Sequence, residues 1–514
     1  MKKCFSLSLL SLAVGLALLT SSYSAIAASS ETPANPDQAS EILQRRGQSL
    51  LTDSIIPVAT ASNPTVVEQP DPKQKTATER LQAAPTANYD VAKLIANPDA
   101  FSESLSKAVS KKDVAAIKAL LPQYKLLETR DLLLIKVAEA IVLRDEKQYK
   151  PAIAAYGDIL LEDPDNHAIR LDLALALQAD KQYLAAEDQL RLLLAADIPK
   201  VLKSRAEKAL TQIAKTEDWR FNVSIRNDND SNINGAPPAY IQNQFGRNIE
   251  KKSGNGVRLT GSANKRINLP KNYYAVLGAN ASLKAYWDAS DYNDYLFTAL
   301  VGAGYDDAKH DLSISPFMTK RIFNEATYSS RTGVNVRGSK WITSKVKLTA
   351  SSSFSNETFE NDTNNRRETN GQSIGLNAYY SKDSKQYFVG GLSTYRNEVA
   401  KSVTSSYDRD LFNIGWNRRW DKGISTLASV GYNIKNYDKN IGASKRYFES
   451  LGAEYGAQRT DKTTSLRLQV SKQGLTWYGL EPRLLLDYSK TSSNFAYYDD
   501  RKERSATLLL SKRF

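Results

Sequence analysis

The residues of this 514-residue chain that could do chemistry gather in few places. The densest is Arg226-Asn-Asp-Asn-Asp-Ser-Asn-Ile-Asn234, where Asp228, Asp230 and Asn232 hold the i, i+2, i+4 oxygen spacing of a calcium loop. Ile233 stands where such a loop needs glycine, and Ala239 where it needs a closing glutamate. The fit to calcium is therefore poor. Asx-rich turns also cap strand ends by hydrogen bonding their own backbone. Asp228, Asn229, Asp230, Asn232 and Asn234 read first as a structural turn, with a gate or cargo contact and a metal site as alternatives. Smaller constellations follow: Arg459-Thr-Asp461, Gly479-Leu-Glu-Pro-Arg483-Leu484 and Ser493-Asn494. Charges of this kind are usually salt-bridge partners, and Pro482, which cannot donate a ladder hydrogen bond, favours a strand start, an edge or a bulge.

Catalytic signals are weak. His167 and His310 are the two histidines. A serine–histidine hydrolase would need one of them beside a serine and an orienting polar group, and nothing local supplies that. No Gly-rich phosphate loop or paired-histidine metal motif occurs. The expectation is a non-enzyme with no catalytic residue, metal or cofactor. Cys4, the single cysteine, precedes the apolar part of the N-terminal segment, so the mature chain should carry no disulfide or thiolate site.

The N-terminus reads as a secretory signal over residues 1–27. Lys2 and Lys3 precede the apolar run Phe5 to Leu19, and Ala25-Ile26-Ala27 is a small-x-small cleavage site. Beyond it no apolar run approaches the roughly 18 residues of a membrane helix. Residues 28–98 carry much Pro, Ala, Thr and Gln and read as a flexible linker, with one helical candidate at residues 40–51.

Residues 99–217 are helical by pattern and they repeat. Lys147-Gln148-Tyr149 recurs as Lys181-Gln182-Tyr183, a step of 34 residues. In that register Tyr149 matches Tyr183, Ala152 matches Ala186, and Tyr156 matches Leu190. Small alanines let paired helices approach, and the bulky residues fill the space between them. Asp113 to Leu121 reads as a degenerate first repeat and Val201 to Ile213 as a capping helix.

At Trp219 the period changes to two: Trp219, Phe221, Val223 and Ile225 alternate with polar residues. From there alternating stretches recur to the C-terminus, including Tyr273–Trp287, Ile342–Ser355 and Trp477–Ser489. Their lengths suit tilted membrane-crossing strands of about 9–11 residues. Long polar connectors alternate with short turns, as in bacterial outer-membrane barrels. Mean hydropathy of −0.46 is compatible with this, because only every second strand residue must face lipid. The 27 Tyr against 14 Phe and 6 Trp suit interfacial girdles. The final stretch, Ser505 to Phe514, places Leu508 and Leu510 on the same face as a terminal aromatic. These three residues read as the signal by which the barrel-assembly machinery recognises such a strand. Both barrel ends should lie in the periplasm, which requires an even strand count. Tyr447 to Ala457 is therefore read as loop, giving about 14 strands over residues 218–514. The expected fold is thus an α-helical tetratricopeptide-like domain in the periplasm, followed by an antiparallel transmembrane β-barrel. The net charge of +13 reads as a basic solvated surface near outer-membrane lipid, and nucleic acid is not an expected partner behind a secretory signal.

Together these segments resemble the Slam family, the surface lipoprotein assembly modulators. The resemblance rests on Trp219 with Asp228 to Asn234 and on Arg459-x-Asp461. It also rests on Gly479-Leu-Glu-Pro-Arg-Leu484, Ser493-Asn494 and the ending Ser511-Lys-Arg-Phe514. It covers roughly residues 100–514. The resemblance implies an outer-membrane translocon that delivers surface lipoproteins, or related secreted haem- and iron-binding proteins (haemophores), from periplasm to exterior. Repeats would engage cargo or periplasmic chaperones. Asp228, Asn229, Asp230, Asn232, Asn234, Arg459, Asp461, Arg483 and Asn494 become candidate gate or cargo contacts. A polysaccharide exporter with periplasmic repeats is the competing reading.

Overall fold

The computed structural model describes residues 94–513, except 235, 237–249, 361, 363–365, 384, 403–404 and 441–442. The expected signal, most of the linker with its helical candidate, and Phe514 lie outside the described residues.

The helical region comprises α1 (Pro98–Lys111), α2 (Val114–Tyr124), α3 (Leu132–Asp145), α4 (Tyr149–Glu162), α5 (His167–Ala179), α6 (Tyr183–Ala195) and α7 (Lys200–Ala214). Local chemistry starts most of these helices. Asn97, Asp113, Asp131 and Asn166 each accept a hydrogen bond from a backbone N–H of the first turn they precede. The helices stack as three pairs with α7 after them. Each pair turns at a lysine with positive φ: Lys112 at 55°, Lys147 at 59° and Lys181 at 64°. That shared left-handed residue shows α1 and α2 to be built on the same plan as the two sequence repeats. Ala152, Tyr156, Ile159, Ala186, Leu190 and Leu193 are all fully buried in one core. Asp172, also buried, receives Arg144 at 2.8 Å and an ion pair from Lys112, which ties the three helix pairs together. Burial is the larger influence on the Lys112 ammonium and holds it below its ordinary value, against the pull of Asp172.

The second region is a closed antiparallel barrel of fourteen strands. In order they are β1 (Arg220–Asn227), β2 (Gly256–Asn268), β3 (Tyr273–Tyr286), β4 (Asp294–Asp306), β5 (His310–Phe323), β6 (Ala326–Trp341) and β7 (Val346–Phe359). The second half runs β8 (Thr369–Ser381), β9 (Gln386–Val399), β10 (Tyr407–Arg419), β11 (Ile424–Tyr437), β12 (Thr460–Lys472), β13 (Glu481–Ser493) and β14 (Arg501–Arg513). Each strand pairs with its sequence neighbours, and β1 closes the ring on β14. The register sorts side chains to two faces, as the strand period requires. Outward lie Val301, Ile314, Met318, Phe354, Ile374, Leu392, Ile414 and Val430, all exposed. Exposed large apolar residues on thirteen of the fourteen strands would be a liability in water and form the lipid-facing band of a membrane barrel. Inward lie Arg258, Lys284, Asp294, Arg321, Arg331, Glu357, Arg467 and Asp487, most of them paired across strands.

Several strand limits need correcting, among them β14, which begins at Arg501 rather than Ser505. β7 begins at Val346 rather than Ile342, because the Thr343 hydroxyl accepts the N–H groups of Lys345 and Val346 and holds a tight turn. β13 begins at Glu481 rather than Trp477. Tyr478 and Gly479 take φ of 51° and 75°, so Trp477 and Leu480 bond only to each other across that turn. β6 starts at Ala326, two residues before the alternating stretch Tyr328–Gly338 of the sequence, and a register irregularity against β5 falls at Arg321/Ile322. The segment Tyr447 to Ala457 forms no strand; a short helix, α8 (Lys445–Glu449), capped by Ser444, opens it.

Candidate functional site

The chemistry of the molecule concentrates at the two rims of the barrel. At the rim nearest the helices, the repeats clasp the turns joining β2 to β3 and β4 to β5. Asp306, buried at the end of β4, pairs with Lys181 of the third repeat and with Arg266 of β2 at 2.9 Å. Arg266 also lies 4.1 Å from the Tyr274 ring centre and 5.6 Å from that of Tyr183. Asn268 donates to Thr216 at 2.8 Å, and its N–H donates to Glu217 at 2.6 Å. Asn272 donates to the Asp180 carbonyl, and Lys150 donates to the Tyr305 hydroxyl at 3.1 Å. Both contacting turns of the array, at Lys147–Lys150 and Asp180–Tyr183, carry the repeated Lys-Gln-Tyr. The repeat that packs helices therefore also presents its turns to the barrel.

Asp307 stands beside this clasp. Burial opposes its ionisation. The N–H groups of Lys309 and His310, then the Tyr305 hydroxyl and the His310 ring, outweigh burial and hold the carboxyl at about 2. His310 is thus the partly exposed partner of Asp307, with Nδ1 3.1 Å from the carboxylate.

At the opposite rim, the Asx cluster builds the first long loop. Burial works against the Asp228 carboxylate, but Arg258 at 2.6 Å and Lys284 at 3.6 Å outweigh it and hold the group below the ordinary carboxylate range. Asp230 pairs by backbone with Gly254 and accepts the Asn232 N–H at 2.8 Å. Asn232 exchanges two 2.8 Å hydrogen bonds with the backbone of Ala236. Asn234 bridges the Glu250 carbonyl and the Lys252 N–H, and Ile233 is buried between them. Asn229 is exposed.

Arg459, Asp461 and Asn494 come together at the same rim. Arg459 grips Asp461 through two hydrogen bonds, 3.0 and 2.6 Å, and stacks 3.3 Å from the Tyr498 ring centre. Asn494 accepts the Thr460 N–H and donates to the Gln458 carbonyl, each at 2.7 Å. These bonds carry a small apolar core that the sequence motifs did not mark. Phe448 and Leu451 of the β11–β12 loop pack against Phe495, Tyr497 and Tyr498 of the β13–β14 loop. The aromatic pairs Tyr447-Phe448 and Tyr497-Tyr498 in otherwise polar connectors were the available signal. Arg483 is not with them. It lies near the other end of β13, with Nη2 3.4 Å from Glu481 and a buried Nε that has no hydrogen-bond partner among the described residues.

Leu508 and Leu510 lie on the outward face of β14, Leu508 exposed. Among the repeat residues, Ala152, Tyr156 and Ala186 are buried between helices, whereas Tyr149 and Tyr183 are half-buried and Tyr183 also meets Arg266.

A closed fourteen-strand barrel with an apolar outer band and helical repeats clasped to one rim is an outer-membrane β-barrel whose N-terminal domain lies in the periplasm. Residues 219–514 match the model of the surface lipoprotein assembly modifier family, and residues 87–190 match that family's N-terminal TPR repeats. The chain belongs to this family. It is 28% identical to surface lipoprotein assembly modifier 1 of Haemophilus influenzae strain Rd, over 80% of this chain and 84% of that protein. It is 26% identical to surface lipoprotein assembly modifier 1 of Neisseria meningitidis serogroup B strain MC58, over 80% and 82%. The Pasteurella multocida surface lipoprotein assembly modifier matches at 24% over 87% and 91%.

Proposed function

We propose that this protein assembles lipoproteins on the cell surface, receiving them at the periplasmic repeats and passing them through the barrel. Family membership along nearly all the described chain carries this reading. The clasp between repeats and barrel supports it, because a receptor for periplasmic cargo or chaperone is useful only at the mouth of the conduit. The role is that of an assembly factor rather than an enzyme. Its cargo includes haem- or iron-binding surface proteins, and its own insertion depends on the barrel-assembly machinery reading Leu508, Leu510 and Phe514. Asp228 to Asn234, Arg459, Asp461 and Asn494 act here as the frame of an extracellular gate, and Arg483 as a contact near the periplasmic mouth.

The test is surface exposure of a lipoprotein encoded beside this gene, measured by protease accessibility in intact cells with and without the gene. Loss of exposed cargo at unchanged total cargo is expected. Unchanged exposure, with the barrel properly assembled in the parent strain, would shift the weight to the competing polysaccharide exporter.

A further inference from the structure

The barrel wall is uneven at its closure. β1 and β14 pair at five positions, from Asn222↔Arg513 to Arg226↔Leu509. β1 and β2 pair at eight. The remaining neighbours pair at eleven to fourteen. The ladder ends where the Leu508 N–H donates to the Asn227 side chain at 3.1 Å. Beyond it, Lys502 to Ala506 face β13 on one side and no strand on the other among the described residues. All five are exposed, including Glu503 and Ser505, whose register places them on the inner face. This run of five exposed residues is the longest within any described strand of the wall. Lys502 and Arg504 put charge on this open edge, the usual guard against strand addition.

Directly below the gap the outer face is apolar, and the inner face sets two leucines among polar neighbours, with Leu509 paired to Arg483 on one side and Arg226 on the other. Leu484, Leu486, Leu508 and Leu510 point outward, while Leu485 and Leu509 point inward as diagonal neighbours on adjacent strands. Leu485 and Leu509, with Arg226 and Arg483 beside them, thus adjoin the least-paired seam next to the lipid-facing band, an apolar step within reach of cationic groups.

We infer that the β1–β14 seam is a lateral exit, and that its occupant is the acylated N-terminal segment of a lipoprotein passing from lumen to outer leaflet. The inference rests on the function proposed above and adds the route. Acyl chains lose favourable free energy with every methylene left in water, so an axial exit would expose what a lateral one keeps covered. A seam held by five residue pairs opens at lower cost than any other in this wall, since fewer ladder hydrogen bonds must be released.

The experiment locks the seam. Ser224→Cys with Ser511→Cys joins paired positions of β1 and β14, and Ser465→Cys with Ser489→Cys joins paired positions of β12 and β13 as the control. Surface delivery of the neighbour-encoded lipoprotein is scored in intact cells, oxidised and then reduced, beside a strain lacking the gene. The expected result is at least a tenfold loss with the oxidised seam pair, recovery on reduction, and normal delivery by the oxidised control. Normal delivery through a fully oxidised seam would overturn the lateral exit while leaving the proposed function standing. Equal loss with both pairs would also overturn it, by tracing the block to stiffening of the barrel. Normal delivery without the gene would sink both readings. A milder probe, Leu509→Gln, is expected to lower delivery several-fold while heat-modifiable folding persists; unchanged delivery would mean that Leu509 does not meet the acyl chains.

Discussion

The two rims of this barrel are built by opposite chemistry. The periplasmic rim has short turns and is joined to the repeats by charge and amide groups: Lys181 with Asp306, Arg266 between two tyrosines, and Asn268 and Asn272 reaching helical backbone and side chains. The extracellular rim has long loops, and two of them are joined by an apolar core around Phe448 and Phe495. A polar clasp depends on geometry, and each of its bonds contributes little net stability against water. An apolar core is less directional and costs more to disrupt. The repeats are therefore held in a defined orientation by many weak contacts, whereas the loop pair stands or falls as a unit.

The contrast between the rims breaks most sharply when one partner is removed outright. Deleting residues 99–217 is expected to leave a heat-modifiable barrel and to reduce surface delivery of cargo at least tenfold; full delivery would make the repeats a brace. Next is Phe448→Ala, which empties the centre of the extracellular core. A buried Phe→Ala change costs about 3–5 kcal/mol. Protease cleavage within residues 445–459 of intact cells should rise sharply, with the thermal transition of the barrel barely moved. A coupled loss of both would show that the loop core braces the wall.

The clasp gives a smaller effect. Lys181→Ala and Asp306→Ala should each weaken docking by roughly 1–3 kcal/mol, as expected for a hydrogen bond to a charged group. A double-mutant cycle reading repeat–barrel crosslinking should show them coupled; additivity would mean the pair does not act as a unit. Acid sharpens this. The Asp307 carboxyl is depressed to about 2 by groups of its own turn, so its contribution to the β4–β5 turn beneath the clasp is complete above the ordinary carboxylate value near 4 and fades as pH falls from there through about 2. Asp307→Asn should loosen the β4–β5 turn at pH 7, read as faster hydrogen exchange at the Lys309 and His310 N–H groups, and flatten the dependence of that turn on pH below 4. The smallest change expected is from Asn494→Ala, about 1 kcal/mol, read as faster hydrogen exchange at Thr460.

The strands were legible because a barrel in lipid imposes an alternation that no side chain can evade. The alternation over Tyr273–Trp287 matches the observed strand Tyr273–Tyr286 to within one residue. Errors fell where turn geometry overrides composition. Trp477 and Tyr478 look like strand residues, but left-handed Tyr478 and Gly479 end the alternation. The Asx cluster was recognisable as turn chemistry, yet its partners Gly254 and Glu250 lie some twenty residues away, beyond local pattern. Asp306 and Arg266 carry no signal in the sequence, because an acid in a turn and a base in a strand look ordinary until the repeats bring Lys181 and Tyr183 to them.

The sequence by itself determined the division into repeats and barrel, the strand number through parity of the ends, and the apolar outer face. Each follows from a period of 34 or of two, and a period is a local property. Only the tertiary structure decided which turns the repeats clasp, which loops share a core, and where the wall is thinnest. Those depend on the register at which the first and last strands meet, nearly three hundred residues apart, where Arg226 lies opposite Leu509 and the ladder ends.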